Sequence, residues 1–255
     1  MRIKKLSFTK AQLQAIPEYD RRRLVELMML QDELSTLSIA VTLSKPTRIG
    51  ASNDTDAVQW GQMWFYVRLL AGKLHEARLW LDQVAFNNPN SMVIQRALPP
   101  ESKRALDSLK VTFGKHRKVF ADLRNQTAFH FDSTEVLEAY NALPVDTVFT
   151  AWATPHFGTS RNDVADTVYR QMAISIMGRP DGLEAAVELA KLVTDTALDF
   201  GVFVAHWLSA LVKSHIPLDD GETAEVEDVH VEYLPALFDL EAWTKRNIDL
   251  VGGAL

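Results

Sequence analysis

Apolar residues recur along most of this chain at spacings of three and four, the period that lines one face of an α-helix. From Glu18 to about Ser44 the series is Leu24, Leu27, Met28, Leu30, Leu34, Leu37 and Val41. Pro17 suits a first helical turn, and Lys45-Pro46 stops the pattern. A polar loop over 46–54 follows, with Asn53 or Asp54 able to cap a second helix from about Thr55 to Phe86. That helix presents Trp60, Trp64, Val67, Leu70, Leu74 and Leu81 on one side. Asn87-Asn88-Pro89-Asn90 breaks it, and Pro99-Pro100 ends the connection. A third long helix is predicted from near Pro100 to near His130, with Leu106, Leu109, Phe113, Phe120 and Leu123 as its stripe. Continued at the same spacing, the stripe meets Thr127 and then His130.

Asp132 with Glu135 three residues later reads as a capping pair for a short helix over about 133–142. A less regular stretch after Pro144 contains Trp152, Pro155, His156 and Gly158. Helices follow at about 160–177 and 181–214, separated by Gly178-Arg179-Pro180-Asp181, with Asp181 as the cap. The apolar run Gly201 to Val212 contains His206 and is too short to span a bilayer, so it reads as a buried helix. Residues 1–16 read as an arm or short helix, and a last short helix is expected over 236–249. The predicted fold class is all-α, a helical bundle of long antiparallel helices with a helical C-terminal extension. Residues 1–143 form the bundle and 144–255 a helical portion packing on it, or the two are one continuous domain. The stretch 143–160 is the best candidate for a boundary.

Composition narrows this picture. With 11 Gly and 10 Pro in 255 residues there are few turns, which argues against an all-β fold. An apolar fraction of 47% beside 24% charged residues is that of a soluble globular protein. The absence of cysteine excludes disulfides, thiolate metal sites and cysteine nucleophiles, and fits a cytoplasmic location. No apolar signal core follows the basic start Met1-Arg2-Ile3-Lys4-Lys5-Leu6, and no membrane partner is expected. The formal charge of −6 gives no overall attraction to nucleic acid, so any such role needs positive charge concentrated in one place. The third helix supplies a concentration: between Glu101 and Arg124, seven Lys and Arg residues stand against three acids. Residues 217–232 are the converse, with seven acids and no Lys or Arg, and read as a solvated loop or a shield for a basic groove.

Candidate chemistry lies in Leu123-Arg124-Asn125-Gln126-Thr127-Ala128-Phe129-His130-Phe131-Asp132, at the end of the third helix. Arginine stays charged at any relevant pH and its planar fork suits phosphate. Histidine titrates near neutrality and can take or give a proton. Together they can hold a phosphodiester and move protons around it without a metal.

Arg124-Asn125-Gln126-Thr127-Ala128-Phe129-His130 resembles the R-x(4–6)-H signature of the HEPN superfamily, which normally has a polar residue, often Asn, directly after the arginine. The resemblance in context covers the long helices from about 18 to 142, and residues 144–255 match nothing in it. It implies a small helical bundle, a homodimer, and a metal-independent ribonuclease of the toxin–antitoxin or abortive-infection kind. The implied partners are RNA and an antitoxin protein, with no cofactor and no metal. It assigns Arg124 to the phosphate, His130 to proton transfer as general base or acid, and Asn125 to positioning. The basic residues Lys115, Arg117 and Lys118 are the expected RNA contacts.

Six residues of α-helix separate two side chains by about 9 Å of rise and roughly 120° of rotation. One copy therefore does not easily close the site, and pairing across a two-fold axis is the expected solution. Other readings of the same residues stay open. His130 continues an apolar stripe and suits a satisfied core position, Asn125 and Asp132 suit local caps, and Arg124 has Asp122 nearby. A non-catalytic module binding a nucleotide, RNA or a protein is the alternative function, and a helical regulator with a coincidental motif is a third. His75-Glu76 lacks the second His of a zinc-protease motif, and His206 and His215 read as packing and helix-end residues. Asp32-Glu33 reads as an exposed face, or as carboxylates near the site.

Overall fold

A computed structural model of the protein describes the backbone of residues 2–4, 9–45, 54–88, 91–128, 133–149, 151–152, 161–162, 164–215 and 226–228. Side chains are described over 9–45, 59–88, 91–125, 134–149 and 164–215. In chain order the elements begin with β1 (Arg2–Lys4), α1 (Lys10–Ala15), α2 (Glu18–Leu43) and α3 (Asp54–Leu81). A π-helical turn, Asp82–Phe86, closes α3; α4 (Met92–Ala97), α5 (Pro100–Lys115) and α6 (Arg117–Asp122) follow. A second π-helical turn, Leu123–Ala128, closes α6 and leads to α7 (Ser133–Asn141). The chain continues through β2 (Ala151–Trp152), β3 (Arg161–Asn162), α8 (Val164–Met177), α9 (Gly182–His215) and β4 (Val226–Asp228). The fold class is all-α, the helical bundle expected from the spacing. Among the described residues the strands are two or three residues long, and they pair as β1 with β4 and β2 with β3, both antiparallel.

Side-chain pairs fix the direction of the long helices. Arg23 Nη2 donates to Gln83 Oε1 at 3.1 Å, and Lys73 Nζ meets Glu33 Oε2 at 2.9 Å. Residue numbers rise on α2 as they fall on α3, so the two are antiparallel. The same holds for α5 and α9: Ser102 Oγ donates to the Val202 carbonyl at 2.9 Å, and Ser108 Oγ to Asp199 Oδ2 at 2.6 Å.

The residues fall into two units, 1–22 with 212–255, and 23–211. In the larger unit the predicted stripes become the core. Val67, Leu70, Ala71, Leu74, Ala77 and Leu81 of α3 have no exposed surface. They share one cluster with Leu109, Phe113 and Phe120, and with Leu189, Val193, Phe203 and Trp207 of α9. Truncating one of the large members to alanine costs about 2–5 kcal/mol. Buried residues from both sides of residue 143 belong to this cluster, so no separate core begins there. A smaller group, Ala139, Val168 and Met172, packs α7 on α8. In the smaller unit a reciprocal capping box starts α1: Thr9 Oγ1 accepts from Gln12 N at 3.2 Å, and Gln12 Oε1 from Thr9 N at 2.7 Å.

Most boundaries lie close to those the spacing predicts. Pro100 stands in the first turn of α5, and Asp181 Oδ1 caps α9 by accepting from Glu184 N at 2.8 Å. The third helix is different: it breaks at His116, whose backbone (φ −110°, ψ 23°) leaves the α-helical region. The break does not interrupt burial, because Phe113 and Phe120 meet edge-to-face across it with ring centroids 5.2 Å apart. Helix α4, only six residues long, has no apolar stripe to announce it, and the helix expected from 160 starts at Val164. Part of the acidic 217–232 segment forms β4 rather than loop, in register Arg2↔Asp228, Ile3↔Glu227 and Lys4↔Val226.

Helix α9 extends well beyond the apolar run seen in the sequence. It is long and apolar enough to cross a membrane by length and composition, with 44% of its most apolar window buried inside the protein. The loop over 46–53 with the Asn53 cap, the Asp132 cap, the stretch containing Pro155, His156 and Gly158, and the helix at 236–249 lie outside the described residues.

Candidate functional site

Two elements build the region around Arg124. The π-helical turn Leu123–Ala128 packs against α3, anchored by Leu123, which is buried. Its hydrogen bonds run to the fifth residue instead of the fourth, widening the turn, and such turns often mark functional positions. Arg124 is half-buried in this turn, and its Nη1 donates to Asn125 Oδ1 at 3.2 Å. The motif's cation and amide are thus joined directly. Asn125 itself is exposed, and the pairing of Arg124 with Asp122 does not form. His130 lies outside the described residues.

His75 and Arg78 stand one turn apart on α3, the helix that packs against the π-turn, a spacing that makes them neighbours along the helix. Arg78 is only 6% exposed and its Nη1 binds Asp82 Oδ2 at 2.5 Å. Burial pushes the His75 imidazole below its ordinary value near 6.5, and the charges of Arg78 and Arg124 push it further down. Glu76 opposes this, and Arg117 adds to it. His75 is therefore a neutral imidazole at neutral pH, able to accept a proton, inside a group of three arginines. Among the described residues, Arg78 Nε, Arg124 Nε and His75 Nδ1 are buried without a hydrogen-bond partner.

Lys115, Arg117 and Lys118 are all exposed, but Lys115 lies within the field of Glu188 on α9 while Arg117 acts on His75 of α3. The break at His116 comes between Lys115 and Arg117. The 120° offset between Arg124 and residue 130 also needs revising, since it assumes α-helical pitch and the turn through 128 is π-helical.

Arg78 is the residue sequence reasoning missed, and His75 was weighed only as part of a zinc-protease motif. Position 78 is four after Leu74 and three before Leu81, so an arginine stands on the buried stripe of α3, and that was a legible signal. The other candidates resolve into packing. His215 ends α9 with its Nε2 3.5 Å from Asp20 Oδ2, and Glu33 is held by Lys73. Among the described residues no three His, Asp or Glu side chains come together as a metal site. A shallow depression at the start of α9, lined by Arg179, Leu183, Val187 and Lys191 among others, contains none of the candidate residues. Comparison of the chain with protein-family models, with curated proteins and with solved structures finds no match.

Proposed function

We propose that the protein is a metal-independent endoribonuclease of HEPN type that acts through Arg124, Asn125 and His130. The observation that carries the reading is the half-buried Arg124 guanidinium, bonded to the adjacent Asn125 amide and not ion-paired to a carboxylate among the described residues. An arginine left free by carboxylates in this way is available to a phosphodiester. The ribose 2′-oxygen attacks phosphorus, its proton passes to His130, and the 5′-oxygen leaves with a proton returned to it. The product ends are a 2′,3′-cyclic phosphate and a 5′-hydroxyl. Arg124 stabilises the charge that develops on the phosphoryl oxygens, and Asn125 orients the guanidinium. A defence or toxin–antitoxin setting, an antitoxin protein as partner and a homodimer belong to the same proposal.

A second reading, a non-catalytic module that binds RNA or a nucleotide, draws on the cation group itself. His75, Arg78, Arg117 and Arg124 favour a phosphate whether or not a proton is transferred.

Incubation with single-stranded RNA in EDTA separates the two. Cleavage leaving cyclic-phosphate ends is expected, with Arg124→Ala and His130→Ala each slower by on the order of 10²-fold or more. The active species should have the mass of two chains. Folded variants that cut as fast as the parent overturn the assignment, and a parent that binds RNA without cutting it establishes the binding module.

A further inference from the structure

We propose that the junction of α3 with the π-helical turn Leu123–Ala128 is a phosphate-binding cradle, in which His75 and Arg78 join Arg124 and Arg117 around one phosphodiester. The His75 imidazole lies in the field of three arginines carried by three packed elements, α3, α6 and the π-turn, and like charges held near one another destabilise one another unless an anion lies among them. Among the described residues, carboxylates pair with only one cation of this group. Asp82 holds Nη1 of Arg78, and Glu76 and Glu33 both hold Lys73, at 3.0 and 2.9 Å. The donors left over are the right ones for phosphate. Arg78 Nε and Arg124 Nε are buried without partners among the described residues, and each belongs to a planar fork that matches two phosphate oxygens.

His75 gives the cradle a pH response. Burial favours its neutral form first, and its charged neighbours are Arg78 and Glu76 on its own helix, Arg117 on α6 and Arg124 on the π-turn, whose balance favours it further. A bound phosphodiester offsets the arginines and makes the protonated imidazole favourable, adding a charged donor to the anion. Binding therefore takes up a proton and strengthens as pH falls toward the range where the imidazole titrates.

The cradle deepens the ribonuclease reading and rests on it for the identity of the ligand as a nucleic-acid phosphate. Its test does not require cleavage. The probe is a hexathymidylate DNA strand, whose diesters stay ionised across the pH range and which has no 2′-hydroxyl to attack. Binding is followed by NMR through the His75 ring resonances, assigned by their loss in His75→Gln, and by calorimetry between pH 5.5 and 8. We expect the His75 ring to move on saturation and its titration midpoint to rise. Affinity should fall at least tenfold in Arg124→Gln, only partly recover in Arg124→Lys, and lose most of its pH dependence in His75→Gln. A His75 ring unmoved at saturation, or equal affinity in a folded Arg124→Gln, overturns the cradle. RNA cleavage with an unmoved His75 sinks the cradle and leaves the ribonuclease standing, whereas DNA binding without RNA cleavage does the reverse.

Discussion

Burying a guanidinium is tolerated when partners replace the water it loses. Arg78 has one such partner in Asp82, and its neighbour His75 adapts by remaining neutral. The sign of the resulting linkage is fixed. A folded pKa below the unfolded value means that the unfolded chain takes up the proton first as pH falls. His75 therefore contributes stability that is fully present above about 6.5 and is lost as pH drops through its folded value; His116, lowered by its own burial and by Lys115, behaves alike. The urea midpoint should fall between about pH 6.5 and 5, and less steeply in His75→Gln. Identical slopes would show that His75 is not perturbed.

Not every suggestive grouping is chemical. Ser102, His206 and Glu101 line up as a nucleophile, base and acid would: Ser102 Oγ is 3.1 Å from His206 Nδ1, and His206 Nε2 is 3.6 Å from Glu101 Oε1. Yet Ser102 is fully buried and its hydroxyl donates to the Val202 carbonyl. With no exposed surface, Ser102 offers no oxygen to a substrate. The group clips α5 to α9.

At the scale of elements, the α-helical stretches were legible because their apolar residues keep the helical period, and Asp181 because a capping side chain has a distinctive place. The break at His116 was not, since Phe113 and Phe120 are seven apart and stay on one face with or without it. Neither π-turn was legible either: a hydrogen bond that skips one residue further leaves no mark in residue type. That geometry gives a clean experiment. A π-turn accommodates one residue more than an α-turn, so deleting Gln126 should let the segment close as an α-turn, which leaves the downstream chain at nearly its present angle but narrows the turn that holds Arg124. Helicity by circular dichroism should be kept or raised, while affinity for the DNA strand falls at least tenfold. A deletion variant that binds normally would show that the widened turn plays no part in placing Arg124.

At the scale of the whole molecule, composition and spacing were enough for the fold class, because a bundle needs little beyond stripes and caps. A shared core across residue 143 was legible only as one of two alternatives, since which stripes face one another is decided by packing that no single stretch encodes. The division into 1–22 with 212–255 and 23–211 has a consequence for how the chain is cut. The unit limits at Arg22–Arg23 and Leu211–Val212 both lie inside continuous helices, α2 and α9. Arg21, Arg22 and Arg23 are three consecutive trypsin targets. Their backbone is locked in a helical ladder, with Arg21 Nη1 bonded to the Gln14 carbonyl and Arg23 Nη1 to Glu26 Oε2. A protease needs an extended strand, and native nicking concentrates where the backbone is loose. Brief trypsin treatment should therefore leave the triple-arginine bonds intact in the folded protein and cut them only once urea has melted α2, so that these three arginines become a reporter of helix opening. Cleavage there at the earliest times in buffer would mean that α2 begins in earnest only after Arg23.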